Sequence, residues 1–209
     1  MRWRSNSEVG VKRSFILGVA LGLAACASTS MSSMPSPELR GRSFRNILVV
    51  AAFADLGIRR ETEDRFAVAS SQGRFRFVPS YQVFFPGRQY TREETAGVLR
   101  QYEIDATLVI FPGQAGATSG YVPPTYTSGC TVWSSTSGCS QVTTTQTGGY
   151  SYQKPWAQFT AQLYDATTGA AVWVASATTG GNAYASNVTL VHSMADKTVE
   201  RLTKDSVIR

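Results

Sequence analysis

The sequence predicts one α/β domain, with an α+β arrangement as the alternative: a mixed sheet of about five strands, three helices packed on it, and a long Ser/Thr/Tyr-rich insertion. Three observations lead there. The continuous apolar runs 47–53 and 106–111 read as strands buried on both faces. Helical segments alternate with them, which calls for crossovers and at least partly parallel pairing. A period-two stretch, 156–164, then folds back as a hairpin before a last amphipathic helix.

Taken in order, the first strand breaks at Asp55-Leu56-Gly57, and a helix follows over 61–69 with Glu61, Glu63 and Asp64 in its first turn and Gly73 as its stop. Residues 75–79 form a short strand that Pro79, lacking an N–H, confines to an edge or an end. Thr91 with Glu94 has the form of a capping box and opens a helix to about Tyr102 that turns Val98 and Leu99 inward. The strand 106–111 ends at Pro112-Gly113. Residues 113–153 are Gly, Ser, Thr and Tyr in bulk, with no apolar period and almost no charge. Loops of that length inside a compact domain are functional or disordered.

Regular structure resumes where Ala157, Phe159, Ala161 and Leu163 alternate with Trp156, Gln158, Thr160, Gln162 and Tyr164, a strand with one buried face. The stretch 165–169 turns the chain, with Gly169 in the left-handed position, and 171–178 returns. Asn187 is a good N-cap for the last helix, whose stripe of Val188, Val191, Met194, Ala195, Thr198, Val199 and Leu202 faces the sheet.

The amino terminus has a different character. Lys12-Arg13 precede an unbroken apolar run over 15–25, and the chain turns polar straight after Cys26. A positive end, a short apolar middle and small closing residues make an export signal, too short to span a bilayer as a helix. Leu23-Ala24-Ala25-Cys26 resembles the lipobox of bacterial lipoproteins. That resemblance implies cleavage before Cys26, lipidation of Cys26 with palmitate among its acyl chains, and, since Ala27 is not acidic, an outer-membrane anchor facing the periplasm. Residues 1–10 include Glu8 and add nothing such a signal needs, so translation is expected to begin at Val11. The chain thus divides into a signal peptide (1–25), a Ser, Met and Pro-rich tether (26–43) and one domain (44–209) with the insertion 113–153.

Charge and cysteine content narrow the function. The 209 residues carry 20 basic and 14 acidic groups; residues 1–25 hold four of the former and one of the latter, leaving the mature chain a surplus of three. The remaining Arg and Lys are scattered, which excludes a nucleic-acid interface. Cys130 and Cys139 are expected to form a disulfide in an oxidising periplasm, stabilising a local loop by at most ~3 kcal/mol. As metal ligands they lack His or acidic partners, so neither a metal nor another cofactor is expected.

No catalytic constellation emerges. His192 stands alone beside an apolar stripe. Asp55, Glu61, Glu63 and Asp64 form the densest acidic cluster, which a paired-carboxylate hydrolase could use, but acids at a helix start are favoured by the dipole alone. Neither glycine-rich phosphate motif is present. Tyr121, Tyr126, Trp133, Tyr150, Tyr152 and Trp156, set among Ser, Gly and Thr, have the composition of a binding loop, with an ornamental loop on the sheet edge as the alternative.

The segments 47–50, Arg60 with Glu63-Asp64, 78–80, 105–109 and above all 163–173 (Leu-Tyr-Asp…Thr-Gly…Val-Trp) resemble a group of uncharacterised bacterial envelope lipoproteins. More distantly the chain is similar to the curli secretion subunit and to activators of peptidoglycan synthases. The resemblance implies a non-enzymatic, lipid-anchored accessory protein whose partners are the membrane, through Cys26, and an envelope protein or peptidoglycan. An oligomeric subunit of an outer-membrane secretion or assembly complex is the alternative, and an envelope hydrolase the third reading.

Overall fold

The computed structural model describes residues 26–39, 41–70, 75–134 and 138–208, with the backbone alone for 130, 132–134 and 138–142. The expected signal peptide, and with it Val11, lies outside the described residues. The elements run β1 (Ala27–Pro35), β2 (Asn46–Ala51), α1 (Leu56–Ala69), β3 (Arg76–Pro79), α2 (Arg92–Gln101), β4 (Ala106–Val122), β5 (Thr125–Ser134), β6 (Gly138–Thr147), β7 (Tyr150–Asp165), β8 (Ala171–Gly181) and α3 (Asn187–Lys204). Six strands form one mixed sheet in the order β1-β8-β7-β4-β2-β3, while β5 and β6 pair apart from it. β2 lies parallel to β3 and β4; the other pairings are antiparallel. The fold is therefore the expected mixed α/β arrangement.

The sheet is covered unequally. On one face Ile47, Val49, Leu108, Ile110, Phe159 and Leu163 meet Phe66 of α1 and Leu190, Met194 and Leu202 of α3 in the main core. On the other, Leu48, Val78 and Ile104 gather a smaller cluster that includes Leu99 of α2. Among the described residues no helix covers β7, β8 and β1 on that second side, where Gln158, Ser176, Thr178, Ser28, Ser30 and Ser32 are exposed.

Several expectations hold in detail. Pro79 ends β3, which is the edge strand of the sheet. The capping box is formed: the Glu94 amide donates to Thr91 Oγ1 at 3.1 Å and the Thr91 amide to Glu94 Oε2 at 2.8 Å. At the hairpin, Asp165 Oδ1 accepts from the amides of Thr167 (2.8 Å) and Thr168 (3.2 Å), and Gly169 takes φ +72°.

Others are corrected. Residues 27–35, expected as tether, are the strand β1, paired with β8 from Ala27↔Gly181 to Pro35↔Trp173. Alternate β1 side chains turn inward: Thr29 Oγ1 bonds both Thr179 Oγ1 and Ser193 Oγ at 2.8 Å, and Met31 packs against the core. Hydroxyls satisfied in this way let a strand lie half-buried without an apolar alternation to betray it. The sheet consequently has six strands rather than five. α1 begins at Leu56 with Asp55 as N-cap, earlier than the acidic run suggested. α3 is capped by Ser186, reciprocally with Thr189, and Asn187 is already inside the helix.

Candidate binding face

The insertion 113–153 is not a loop. β4 and β7 run on past the body of the sheet as a ribbon ending with Val122↔Tyr150, and β5 and β6 continue it as a second hairpin. Pro123-Pro124 on one strand and Gly148-Gly149, both at positive φ, on the other separate the two parts. No charged residue occurs from 113 to 153.

A bulge sets the phase of the ribbon. Pro112 pairs with Phe159 and Ala115 with Ala157, so Gly113 and Gln114 together face Gln158. The extra residue places Gly116 opposite Trp156 and Gly120 opposite Tyr152. Without it the aromatics would face Ala115 and Ser119 in a ladder that cannot accept a ring so closely. Both glycines lie under rings: a Cβ on Gly116 would sit 3.2 Å from Trp156 Cζ2, and one on Gly120 2.4 Å from Tyr152 Cζ. Aromatic cover of a strand glycine fills the missing side-chain volume and fixes the ring against the backbone. Lys154, between them on the same side, holds Nζ 5.3 Å from the centre of the Tyr152 ring.

Because β7 alternates without interruption, Tyr150, Tyr152 and Trp156 share one side with Gln158, Thr160, Gln162 and Tyr164. That side is the uncovered face of the sheet. It continues across Ser176 and Thr178 on β8 to Ser28, Ser30 and Ser32 on β1. Between residues 106 and 195 the charged side chains are Lys154 and Asp165, and Asp165 is buried beneath Arg42. The result is a flat surface of hydroxyls, amides and two ring platforms, with Lys154 as its charged side chain.

The six aromatic candidates are thus divided. Tyr150, Tyr152 and Trp156 belong to this face, whereas Tyr121, opposite Ser151, points to the other side of the ribbon. Tyr126, paired with Gln146, is exposed on the outer hairpin. Trp133 pairs through its backbone with Cys139, and its side chain lies outside the described residues. Gln158, Thr160, Ser176 and Thr178, absent from the expected set, join the face; only strand order brings β8 and β1 beside β7.

Cys130 pairs with Val142 and Cys139 with Trp133, three ladder steps apart. The side chains of both cysteines lie outside the described residues. Cys26 is exposed and sits directly before β1, its carbonyl accepting from the Asn182 amide at 2.9 Å.

The acidic cluster is dispersed into four separate tasks. Asp55 caps α1 through the Ile58 amide at 2.9 Å. Glu61 Oε1 lies 2.6 Å from His192 Nε2, tying α1 to α3. Glu63 is fully buried and accepts from the Ala51 amide, Arg59 Nε, the Ser80 hydroxyl and the Tyr81 amide. Asp64 accepts from the Tyr81 hydroxyl, a bond that raises the phenol pKa above its usual value. No group of three or more His, Cys, Asp or Glu side chains among the described residues could hold a metal ion. Among those residues, too, no helix is long and apolar enough to cross a membrane.

No protein-family model matches the sequence, and no curated protein does. Among solved structures the chain is similar to a PelC dodecamer from Paraburkholderia phytofirmans, with a TM-score of 0.48 and 14% identity over 87% of this chain and 99% of that one. It is also similar to lipoprotein GNA1162 from Neisseria meningitidis, with a TM-score of 0.40 and 14% identity over 77% of this chain and 99% of that one.

Proposed function

We propose that this is a non-enzymatic, lipid-anchored accessory protein of the bacterial outer membrane, and that its uncovered sheet face and aromatic ribbon bind another envelope component, a protein or cell-wall glycan. The observation that carries this reading is the seating of Trp156 and Tyr152 on Gly116 and Gly120. A ring laid on a glycine is fixed before any ligand arrives, so little side-chain entropy is lost on contact. Flat rings beside hydroxyl and amide groups suit an extended, polar ligand. The anchor is read from the Leu23-Ala24-Ala25-Cys26 stretch. Several acyl chains hold a protein durably where one binds marginally.

The test is photo-crosslinking in intact cells from a benzophenone side chain at Gln158, in the full chain and in a chain lacking residues 114–152. A single captured species that is lost with the ribbon supports the reading, and its mass separates a protein from a glycan. Equal capture from both forms moves the site to the body of the domain and overturns it.

A second reading, an oligomeric assembly subunit, is favoured by the ribbon's edges. Charged side chains ordinarily guard edge strands, and here neither edge of the outer hairpin carries one. Light scattering of the detergent-solubilised protein distinguishes a stable multimer from a monomer.

A further inference from the structure

The start of β1, the end of β8, the N-termini of α1 and α3 and the root of the ribbon all meet at one end of the domain. Ala27 pairs with Gly181, Trp156 with Gly180, and one cleft of about 340 Å³ is lined jointly by Asp55, Gly113, Gln158 and Asn187. Apolar side chains stand exposed at that end: Leu56 is 64% exposed, Tyr184 63% and Val188 37%. Charged groups flank them: Asp55, engaged as a helix cap, Arg59 and Arg60 at the start of α1, Lys154 over Tyr152, and Asp196, Lys197 and Glu200 in the pocket that includes Cys26. The opposite end, where β2, β3 and β4 begin, carries Arg42, Arg45, Arg76, Glu103, Asp105 and Lys204.

From the seating of Cys26 directly on the sheet we infer that this end of the domain rests on the bilayer, with Leu56, Tyr184 and Val188 at headgroup level. The inference builds on the proposed lipidation of Cys26 and goes beyond it, because no tether separates that residue from the fold: Ala27 is already in the sheet and the Cys26 carbonyl is held by Asn182. Acyl chains on Cys26 therefore draw this end against the membrane. An aromatic side chain among short apolar ones is suited to the interface.

The ribbon leaves from the same end, since β7 extends past the Gly180 level through Lys154 to Tyr150. A two-stranded ribbon with unpaired edges and no apolar band cannot enter hydrocarbon. It lies along the membrane surface instead, and the Trp156–Tyr152 platforms meet their ligand there.

The test uses the full chain, processed in a bacterial envelope, extracted and placed in phosphatidylcholine nanodiscs. A benzophenone side chain replaces Leu56, Tyr184, Met34 or Tyr102 in turn; all four are exposed, so folding is preserved and is checked by circular dichroism. Met34 is the decisive control, 71% exposed but about 26 Å further along the same strand as Cys26. Lipid adducts at 56 and 184, falling to background at 34 and 102, support the inference. An intact mass without acyl chains overturns the lipid reading and the inference with it. Acylated protein that yields equal adducts at all four positions overturns the inference alone.

Discussion

Tyr152 lies across Gly120 so closely that a Cβ added to the glycine would stand 2.4 Å from the ring carbon Cζ. The two are direct partners in the β4–β7 ladder, and the bulge at Gly113-Gln114 brings them into register. Gly120→Val therefore ejects the ring from its seat. The ribbon contributes nothing to the main core, so thermal stability should change by less than about 0.5 kcal/mol, as for surface sites. Capture from Gln158 in cells should fall sharply. A large fall in melting temperature with capture intact would contradict both statements.

Glu63 offers a contrast between a residue that looks catalytic and one that holds the fold. Its carboxylate accepts from the Ala51 amide (3.0 Å), Arg59 Nε (3.2 Å), the Ser80 hydroxyl (2.8 Å) and the Tyr81 amide (3.3 Å). It thereby joins the end of β2, the first turns of α1 and the segment after β3. Glu63→Ala leaves those donors without their shared acceptor and should cost about 3–5 kcal/mol in denaturant unfolding. Asp55→Ala removes a single cap and should cost about 1 kcal/mol. Catalytic carboxylates would show the reverse: a stable fold and a lost activity.

Much of this fold was legible in the residues themselves. The alternation of Phe159, Ala161 and Leu163 with Thr160 and Gln162 marked β7 because one of its faces is buried. The ribbon lacks such a signature for the complementary reason. Both faces of Ala117, Thr118 and Ser119 and their neighbours meet solvent, so pairing leaves no hydrophobic period. β1 was hidden because its inward side chains include Thr29 and Ser33, bonded to Ser193 and Asp205, rather than a row of aliphatic residues. The candidate face needed two facts that composition does not hold: the bulge that phases Gly116 and Gly120, and the strand order that sets β1 and β8 beside β7.

Asp165 and Asp105 act on acid stability in opposite directions. Burial pushes the Asp165 carboxyl up, but the Thr167 and Thr168 amides and the Arg42 guanidinium outweigh it and hold the pKa below the ordinary 3.8. A depressed folded pKa means that its stabilisation is complete above the ordinary value and is lost as pH falls through the lower one. For Asp105 burial prevails over the Arg45 and Asn46 amides, and the pKa is raised. Its contribution is present below the ordinary value and fades as pH rises through the folded one. Melting curves between about pH 2 and pH 6 should show the deficit of Asp165→Asn shrinking toward acid. Asp105→Asn should gain on the wild type as pH rises over the same range.

The cysteine pair tests how firmly the outer hairpin is held in register. β5 and β6 place the backbones of Cys130 and Cys139 three ladder steps apart, and none of the hairpin's described side chains joins either core cluster. Register is weakly specified when neither face is buried, so sliding β6 costs little. Closing the small loop stabilises by up to ~3 kcal/mol in the chain-entropy model. In an oxidising compartment the bond is therefore expected to form and to pull β6 out of the register described above. Alkylation of the protein purified from the envelope should find both thiols protected. Reduction should change amide exchange within 125–147 and leave 44–111 as it was. Two freely alkylated thiols would show that the ladder, rather than the disulfide, sets the hairpin.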